Sequence, residues 1–241
     1  GRAISKTAAE TLKRVHLELG GKGANLIFAD ADDKAVKRGV LHMMQNSGQS
    51  CNAPSRMMVE APIYDRVVEE AAAVAQSVKV GAPSEDGKHI GPVVNATQYE
   101  KIQGLIETGI KEGARLVAGG PGRPEGFNKG FYVRPTVFAD VTPEMTIANE
   151  EIFGPVLSIM KFESEAEAVE VANDTPYGLT NYVQSQDVDR RHRLARQLRS
   201  GMVEMNGQSR AAGSPFGGMK QSGNGREGGM YGIEDFTEIK A

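Results

Sequence analysis

The chain contains, at residues 24–60, the stretch ANLIFADADDKAVKRGVLHMMQNSGQSCNAPSRMMVE. Two apolar runs of strand length, 24–28 and 56–60, flank a segment with the pattern of a buried helix, from Asp32 to about Gln45. Acidic residues at the start of this segment favour the positive end of a helix dipole. A strand, a helix and a second strand in this order are typical of an α/β unit with parallel strands.

The same alternation continues on both sides of this stretch, so the chain is predicted to be α/β, with a mainly parallel twisted sheet and flanking helices. Glycine- and proline-rich residues 118–130 indicate a surface loop, and glycine- and serine-rich residues 206–229 indicate a long loop of the kind that is often functional. Helices are predicted at 3–13, 64–78, 95–112, 164–173, 186–199 and 226–233, and further strands at 15–19, 131–138, 156–162, 179–184, 202–205 and 235–240.

Composition narrows the class of protein. The 241 residues include 39% hydrophobic ones, enough for one large domain with a buried core. No apolar run has the length of a membrane span, and no segment has the pattern of a signal peptide. The net charge of −3 is spread over mixed signs, without a basic block for nucleic acid. A single cysteine excludes an intramolecular disulfide and favours a reducing compartment. We therefore expect a cytoplasmic protein that binds neither nucleic acid nor a membrane.

The lone cysteine, Cys51, follows a Gly-Gln turn and precedes the predicted strand 56–60. An isolated cysteine is most often a structural residue, but a thiolate of depressed pKa is a strong nucleophile. Glu18 lies 33 positions earlier, also next to a turn, where a carboxylate could serve as a general base. An ordinary solvated acid at the end of a strand is the alternative for Glu18. We expect the two side chains to converge at one mouth of the parallel sheet.

Four short runs occur in an order and spacing that resemble the catalytic half of an aldehyde dehydrogenase over essentially the whole chain. They are Glu18-Leu19-Gly20-Gly21-Lys22, the Gly-Gln-x-Cys run ending at Cys51, Glu150-Glu151-Ile152-Phe153-Gly154-Pro155, and Ser214-Pro215-Phe216-Gly217-Gly218. The resemblance implies oxidation of an aldehyde to a carboxylic acid with NAD or NADP, through a thiohemiacetal and a thioester on the cysteine. Cys51 would be the nucleophile, with its N–H in the oxyanion hole, and Glu18 the base that activates water.

The resemblance also implies binding roles for other residues. Glu151 would hold the hydroxyls of the nicotinamide ribose, with Phe153 near the nicotinamide. Glu227 would belong to a proton relay; a simple ion pair with Arg226 or Lys220 is the alternative. The remaining predicted cofactor residues are Leu19, Gly20, Gln98 and Lys101, and the predicted substrate-pocket residues are Phe216, Asn206 and Arg210. Phe153 and Phe216 could instead be core residues, and Arg210 either a site for the carboxylate of a semialdehyde or a solvated surface arginine.

Family members normally carry a cofactor-binding domain ahead of the general-base strand, and this sequence begins at Gly1 within a predicted helix. We therefore expect residues 1–19 to be a remnant of the dinucleotide-binding domain, residues 20–225 to form the catalytic domain, and residues 226–241 to return toward the cofactor and oligomerisation region. A parent homodimer or homotetramer is expected.

Alternative chemistries are less well supported by the sequence. A cysteine protease would pair Cys51 with a histidine, yet none of the four histidines has a supporting pattern. No histidine and cysteine spacing predicts a metal site. The alternative interpretation is a non-catalytic module, retained for assembly or for binding a partner. A depressed pKa of the Cys51 thiol would favour catalysis, and an inert buried thiol would favour the module.

Overall fold

The computed structural model describes residues 1–208 and 210–241. Its centre is a seven-stranded sheet in the order β3-β4-β5-β2-β1-β6-β7, in which every neighbouring pair is parallel except the antiparallel edge pair β3–β4. The strands are β1 (Ala24–Ile27), β2 (Arg56–Glu60), β3 (Arg115–Ala118), β4 (Thr136–Ala139), β5 (Val156–Phe162), β6 (Thr180–Gln184) and β7 (Met202–Met205). The predicted α/β class with a mainly parallel sheet is confirmed.

Helices cover both faces of the sheet because successive strand residues point to opposite sides. Ile27 and Met57 face one cluster of buried side chains, and Leu26 and Met58 face the other. The helices are α1 (Arg2–Ala9), α2 (Ala35–Met44), α3 (Tyr64–Ser77), α4 (Ala96–Lys111), α5 (Thr146–Asn149), α6 (Glu165–Asn173), α7 (Val188–Gln197) and α8 (Gly229–Glu234). The first cluster includes residues of α2 and α3, and the second residues of α4 to α7. Each fully buried large apolar side chain contributes about 1.5–3 kcal/mol.

Several predicted elements differ from the structure. Helix α1 ends at Ala9 rather than residue 13, and residues 15–19 form no strand, only an isolated bridge between Glu18 and Gly223. The strand predicted at 131–138 begins at Thr136 instead. Residues 235–240 form no strand, and Ile239 is fully exposed. The short elements β3 and α5 were missed, because an exposed four-residue edge strand and a single helical turn carry little hydrophobic pattern.

The parallel strands share one amino-terminal edge, and the predicted site residues precede the strands at that edge. Glu18 comes before β1, Cys51 before β2, and Glu151 before β5. The expected convergence at one mouth of the sheet therefore follows from the strand order, in which β5, β2 and β1 are neighbours.

Among the described residues, no helix combines the length and the apolar character that a membrane span requires.

Candidate active site

The turn at Gly20 and Gly21 joins two of the predicted site loops. A Cβ on Gly20 would lie 2.1 Å from a carboxylate oxygen of Glu151, and a Cβ on Gly21 would lie 2.3 Å from the carbonyl oxygen of Cys51. The N–H of Gly21 donates a hydrogen bond of 2.9 Å to Glu151 Oε1. Only glycine permits these close approaches. The turn thus brings the Cys51 loop and the Glu151 loop against the segment that carries Glu18.

The loop that delivers Cys51 has an unusual backbone. Asn46, Ser47 and Gly48 are successive left-handed residues, with φ of 50°, 56° and 71°. The hydroxyl of Ser47 donates to the carbonyl of Gly91 at 2.7 Å, and a Cβ on Gly48 would lie 2.1 Å from the carbonyl oxygen of Gly154. Left-handed conformations cost energy for residues other than glycine, so surrounding contacts must hold them. The loop reverses the chain after α2 and presents Cys51 at the sheet edge.

The Cys51 thiol is free and partly buried. Burial raises its pKa most, the N–H groups of Cys51 and Asn52 lower it, and the negative charges of Glu18 and Glu151 raise it by smaller amounts. The net effect is a raised pKa of the Cys51 thiol. A cysteine that is already ionised before the substrate binds has a lowered pKa instead. A base is therefore needed to ionise this thiol near neutral pH.

The Glu18 carboxylate is the acid whose charge acts most on the Cys51 thiol. Both of its oxygens are buried and have no hydrogen-bond partner of good geometry among the described residues. Burial raises the pKa of Glu18, and the nearby charge of Glu227 raises it further, while His16, Arg226 and, least, the N–H of Gly218 act in the opposite direction. A buried carboxylate without hydrogen bonds retains a high affinity for a proton. The predicted Glu18 general base is thus chemically reasonable.

The Glu151 carboxylate, in contrast, is held in place. It accepts the N–H of Gly21, and its own backbone carbonyl accepts a hydrogen bond of 2.7 Å from Lys101 Nζ. Gln98 Nε2 donates at 2.9 Å to the carbonyls of Ile152 and Phe153. Gln98 and Lys101 therefore fix the backbone of this loop. Their predicted contacts with the adenosine-side ribose stay a prediction.

Phe153 and Leu19 border the same region. Phe153 is partly buried and has a φ of 55°, a conformation that turns the chain just before Gly154. The N–H of Leu19 donates to the carbonyl of Ser222 at 3.0 Å, and a Cβ on Gly1 would lie 2.6 Å from the Leu19 side chain. Leu19 thus connects the Glu18 segment to the start of α1 and to the C-terminal loop.

Lys22 is a buried amine, and no role is predicted for it from the sequence. It is 2% exposed, and its Nζ has no hydrogen-bond partner among the described residues. Burial, and then the charge of Arg56, lower its pKa to about 7, while Glu151 and Glu150 act to raise it. Its position in the sequence, between a glycine turn and a buried strand, is the one feature that indicates a buried lysine.

Of the predicted substrate-pocket residues, the structure brings Phe216 and Arg210 together. The backbones of Phe216 and Glu227 exchange two hydrogen bonds of 2.7 Å, and the exposed Arg210 guanidinium lies 5.0 Å above the Phe216 ring. The Asn206 amide is used locally, because its Oδ1 accepts the N–H of Ser185 and its Nδ2 donates to the carbonyl of Ser185, both at 3.0 Å. Asn206 therefore shapes its loop, and its predicted substrate contact stays a prediction.

Tyr182 is a second residue near the nucleophile that the sequence did not identify. Its hydroxyl donates a short hydrogen bond to the backbone carbonyl of Asn52, next to Cys51. The His42 ring meets the Tyr182 ring edge-on at 5.2 Å. Nothing in the alternating strand pattern separates such a tyrosine from an ordinary core aromatic.

Three or more metal-ligating side chains do not cluster anywhere in the described part of the chain.

Comparison with known proteins gives the family. The model of the aldehyde dehydrogenase family matches residues 1–241. A 3-succinoylsemialdehyde-pyridine dehydrogenase from a Pseudomonas species is 52% identical over all of this chain, which covers 51% of that relative. The chain thus spans about half the length of the curated relatives it matches.

Solved structures agree with this assignment. The crystal structure of an aldehyde dehydrogenase from Bartonella henselae matches with a TM-score of 0.97 and 61% identity, over 98% of this chain and 49% of that one. A mutant of aldehyde dehydrogenase C from Pseudomonas syringae, solved with NAD+ and octanal, matches with a TM-score of 0.96 and 46% identity, over the same shares of the two chains. The chain belongs to the aldehyde dehydrogenase family.

Proposed function

We propose that this chain supplies the nucleophile, the general base and a cofactor-binding carboxylate for the NAD(P)-dependent oxidation of an aldehyde to a carboxylic acid. The observation that carries the proposal is the Gly20–Gly21 turn, against which the carbonyl of Cys51 and the carboxylate of Glu151 both pack. Glu18 lies two residues before this turn, and its charge acts on the Cys51 thiol. The complete protein that carries this chain would perform the reaction.

The first step requires a thiolate. Glu18 accepts the proton of the Cys51 thiol, because its carboxylate is buried without a hydrogen-bond partner in the described part of the chain and has a raised pKa. The sulfur then adds to the aldehyde carbon, which gives a thiohemiacetal. The backbone N–H of Cys51 is the group that the family resemblance assigns to the oxyanion.

In the second step the thiohemiacetal loses a hydride from its carbon and becomes a thioester on Cys51; NAD or NADP, when bound, would supply the acceptor for that hydride. Chemically, the residues present fit such a cofactor. The Glu151 carboxylate is a suitable acceptor for ribose hydroxyls. Because Gly20 and Gly21 have no side chains, the carboxylate can lie against the turn and accept the N–H of Gly21. Phe153 on the same loop would pack near the nicotinamide.

The third step is hydrolysis of the thioester on Cys51. Glu18, which has released the thiol proton to solvent, takes a proton from water, and the hydroxide attacks the thioester carbon. The carbon–sulfur bond breaks, the carboxylic acid leaves, and the Cys51 sulfur takes the proton that Glu18 removed from water, which restores the thiol. A base beside the thioester favours water over coenzyme A as the acceptor. The proton relay proposed for Glu227 is supported by its charge coupling to Glu18.

A non-catalytic module is the second candidate, and the raised pKa of the Cys51 thiol favours it. In that case the thiol would react no faster than a free cysteine at neutral pH. The fold would then serve assembly or partner binding, and the buried carboxylate of Glu18 would have no acid–base role.

An activity assay on material of defined mass tests the proposal. The intact mass of the purified protein is measured first, because this chain alone accounts for 25.8 kDa. We expect aldehyde-dependent formation of NAD(P)H from the complete protein, and none after Cys51→Ala. We also propose that the 241 residues alone lack this turnover. Turnover that survives Cys51→Ala would overturn the proposed mechanism. Robust NADH production by the 241 residues would overturn the second claim.

The proposed cytoplasmic location and the homodimeric or homotetrameric assembly stay predictions.

A further inference from the structure

Tyr182 lies on the central sheet and contacts the loop that carries the nucleophile. It is the third residue of β6, it pairs in register with Asn25 of β1 and Glu204 of β7, and it is 4% exposed. Its buried hydroxyl donates to the carbonyl of Asn52. Burial and then the charge of Glu204 raise its pKa, so the phenol stays protonated and remains a donor.

The peptide group between Cys51 and Asn52 is fixed on its carbonyl side. The carbonyl oxygen of Cys51 packs against Gly21, where even a Cβ would approach to 2.3 Å. The N–H of Asn52 belongs to the same planar peptide group and points to the opposite side. The N–H of Asn52 lowers the pKa of the Cys51 thiol, as expected for a donor on the sulfur side of this peptide group.

The following peptide group, between Asn52 and Ala53, is fixed by Tyr182. Its carbonyl accepts the Tyr182 hydroxyl, and its N–H donates to the carbonyl of Ser50 at 3.1 Å. The side chains of Ser50 and Asn52 are also joined, at 2.6 Å. Two consecutive peptide planes around Asn52 are therefore held, one by Gly21 and one by Tyr182, and the direction of the Asn52 N–H follows from both.

We propose that Tyr182 is a positioning residue for Cys51, whose hydroxyl fixes the Asn52 carbonyl and thereby keeps the Asn52 N–H directed at the sulfur. Its relevance to turnover depends on the proposed function, but its effect on the thiol does not. The other ionisable groups acting on the sulfur are Glu18 and Glu151, from the segments before β1 and β5. Both carboxylates disfavour the thiolate. Neither can therefore compensate for the loss of the stabilising Asn52 N–H in the variant.

The test uses the single cysteine of the chain, whose alkylation by iodoacetamide reports the thiolate directly. Alkylation rates are measured from pH 6 to pH 11 for the wild type and Tyr182→Phe. We expect the midpoint of the profile to rise by about 0.5–1 pH unit in the variant, and the rate at pH 7.5 to fall by about 3- to 10-fold.

A matched control removes another buried hydroxyl far from the nucleophile. Tyr64 donates to Asp140 Oδ1 at 3.0 Å and accepts the N–H of Asp140 at 2.7 Å. Tyr64→Phe therefore makes the same chemical deletion, and its alkylation midpoint should equal that of the wild type. A Tyr182→Phe midpoint equal to the wild-type midpoint would overturn the proposal, even if its limiting rate at high pH differs.

A measurement on the unmodified chain covers the case in which Tyr182→Phe does not fold. The amide proton of Asn52 is followed by NMR while the thiol is titrated. The proposal predicts a titration of this amide proton with the midpoint of the alkylation profile, and an amide signal that ignores the thiol would contradict it. Neither readout involves a cofactor or an aldehyde. An absence of aldehyde oxidation would therefore overturn the proposed function and leave the role of Tyr182 intact.

Discussion

Glu18 and Glu151 differ in what surrounds them, although each acts electrostatically on the same thiol. Glu151 is anchored by the N–H of Gly21, and Lys101 holds its backbone. Glu18 is buried without a hydrogen bond to either oxygen among the described residues. A carboxylate with donors is suited to hold a ligand in one orientation, whereas a carboxylate without donors is suited to take up and release protons. The contrast supports the proposed roles, ligand binding for Glu151 and acid–base chemistry for Glu18.

The largest expected effect comes from removing the base. Glu18→Gln in the complete protein should lower the steady-state rate of aldehyde oxidation by about 10²–10⁴-fold, because the same carboxylate is proposed to ionise Cys51 and to activate water for thioester hydrolysis. Steady-state NAD(P)H formation measures the loss. Retention of more than half of the wild-type rate would break the assignment of Glu18 as the base.

Glu151→Gln should act on cofactor binding instead. We expect the KM for NAD(P) to rise by about 10-fold, the effect of losing a charge-assisted hydrogen bond, with a smaller change in the rate at saturating cofactor. Hydrolysis of p-nitrophenyl acetate at Cys51 needs no cofactor and serves as the internal control. An equal loss of ester hydrolysis would show that Glu151 supports the nucleophile rather than the cofactor.

The two acids should also differ in their effect on stability. The pKa of Glu18 is raised in the folded state, so its ionisation above the unfolded pKa destabilises the fold. Glu18→Gln should therefore raise Tm at pH 7.5 by about 2 °C, and change it little at pH 4, where the carboxyl is protonated in both states. Calorimetry at the two pH values measures this difference. Burial raises the pKa of Glu151 as well, so the same sign applies, but Glu151→Gln also weakens the hydrogen bond from the Gly21 N–H and should give a smaller gain. A decrease in Tm for Glu18→Gln at pH 7.5 would contradict the account.

The smallest expected effect is that of Arg210, an exposed residue of the predicted substrate pocket. If Arg210 holds a substrate carboxylate, Arg210→Ala should lower kcat/KM for succinate semialdehyde by about 3- to 10-fold and leave that for an uncharged aldehyde unchanged. The Arg210 guanidinium lies over the Phe216 ring, so its positive charge is next to another predicted substrate-pocket residue. An equal change for both substrates would mean that the arginine is only a surface residue.

The sequence predicted the centre of the fold well because burial dominates there. The apolar runs at β1, β2 and β5 correspond to strands that are buried on both faces. The pattern failed at the periphery. Residues 15–19 alternate as a strand would, yet they form only the bridge at Glu18, since alternation does not create a neighbouring strand to pair with.

The site was predictable where local runs carry it and hidden where it depends on contacts across the sheet. Cys51 and Glu18 lie in short runs that resemble those of a known family. Tyr182 reaches Asn52 across 130 positions of sequence, and the unpartnered amine of Lys22 is defined only by its burial. Such relations follow from strand order and packing, which a single sequence does not display.

Trapping the covalent intermediate tests the central claim most directly. The Glu18→Gln variant of the complete protein is mixed with an aldehyde and NAD(P) at an alkaline pH, at which part of the Cys51 thiol ionises without the help of Glu18. The mixture is quenched in acid and digested, and the peptide that contains Cys51 is examined by mass spectrometry. The account predicts an acyl group on Cys51 that persists because the base for hydrolysis is gone. An unmodified Cys51, under conditions in which NAD(P)H is formed, would contradict it.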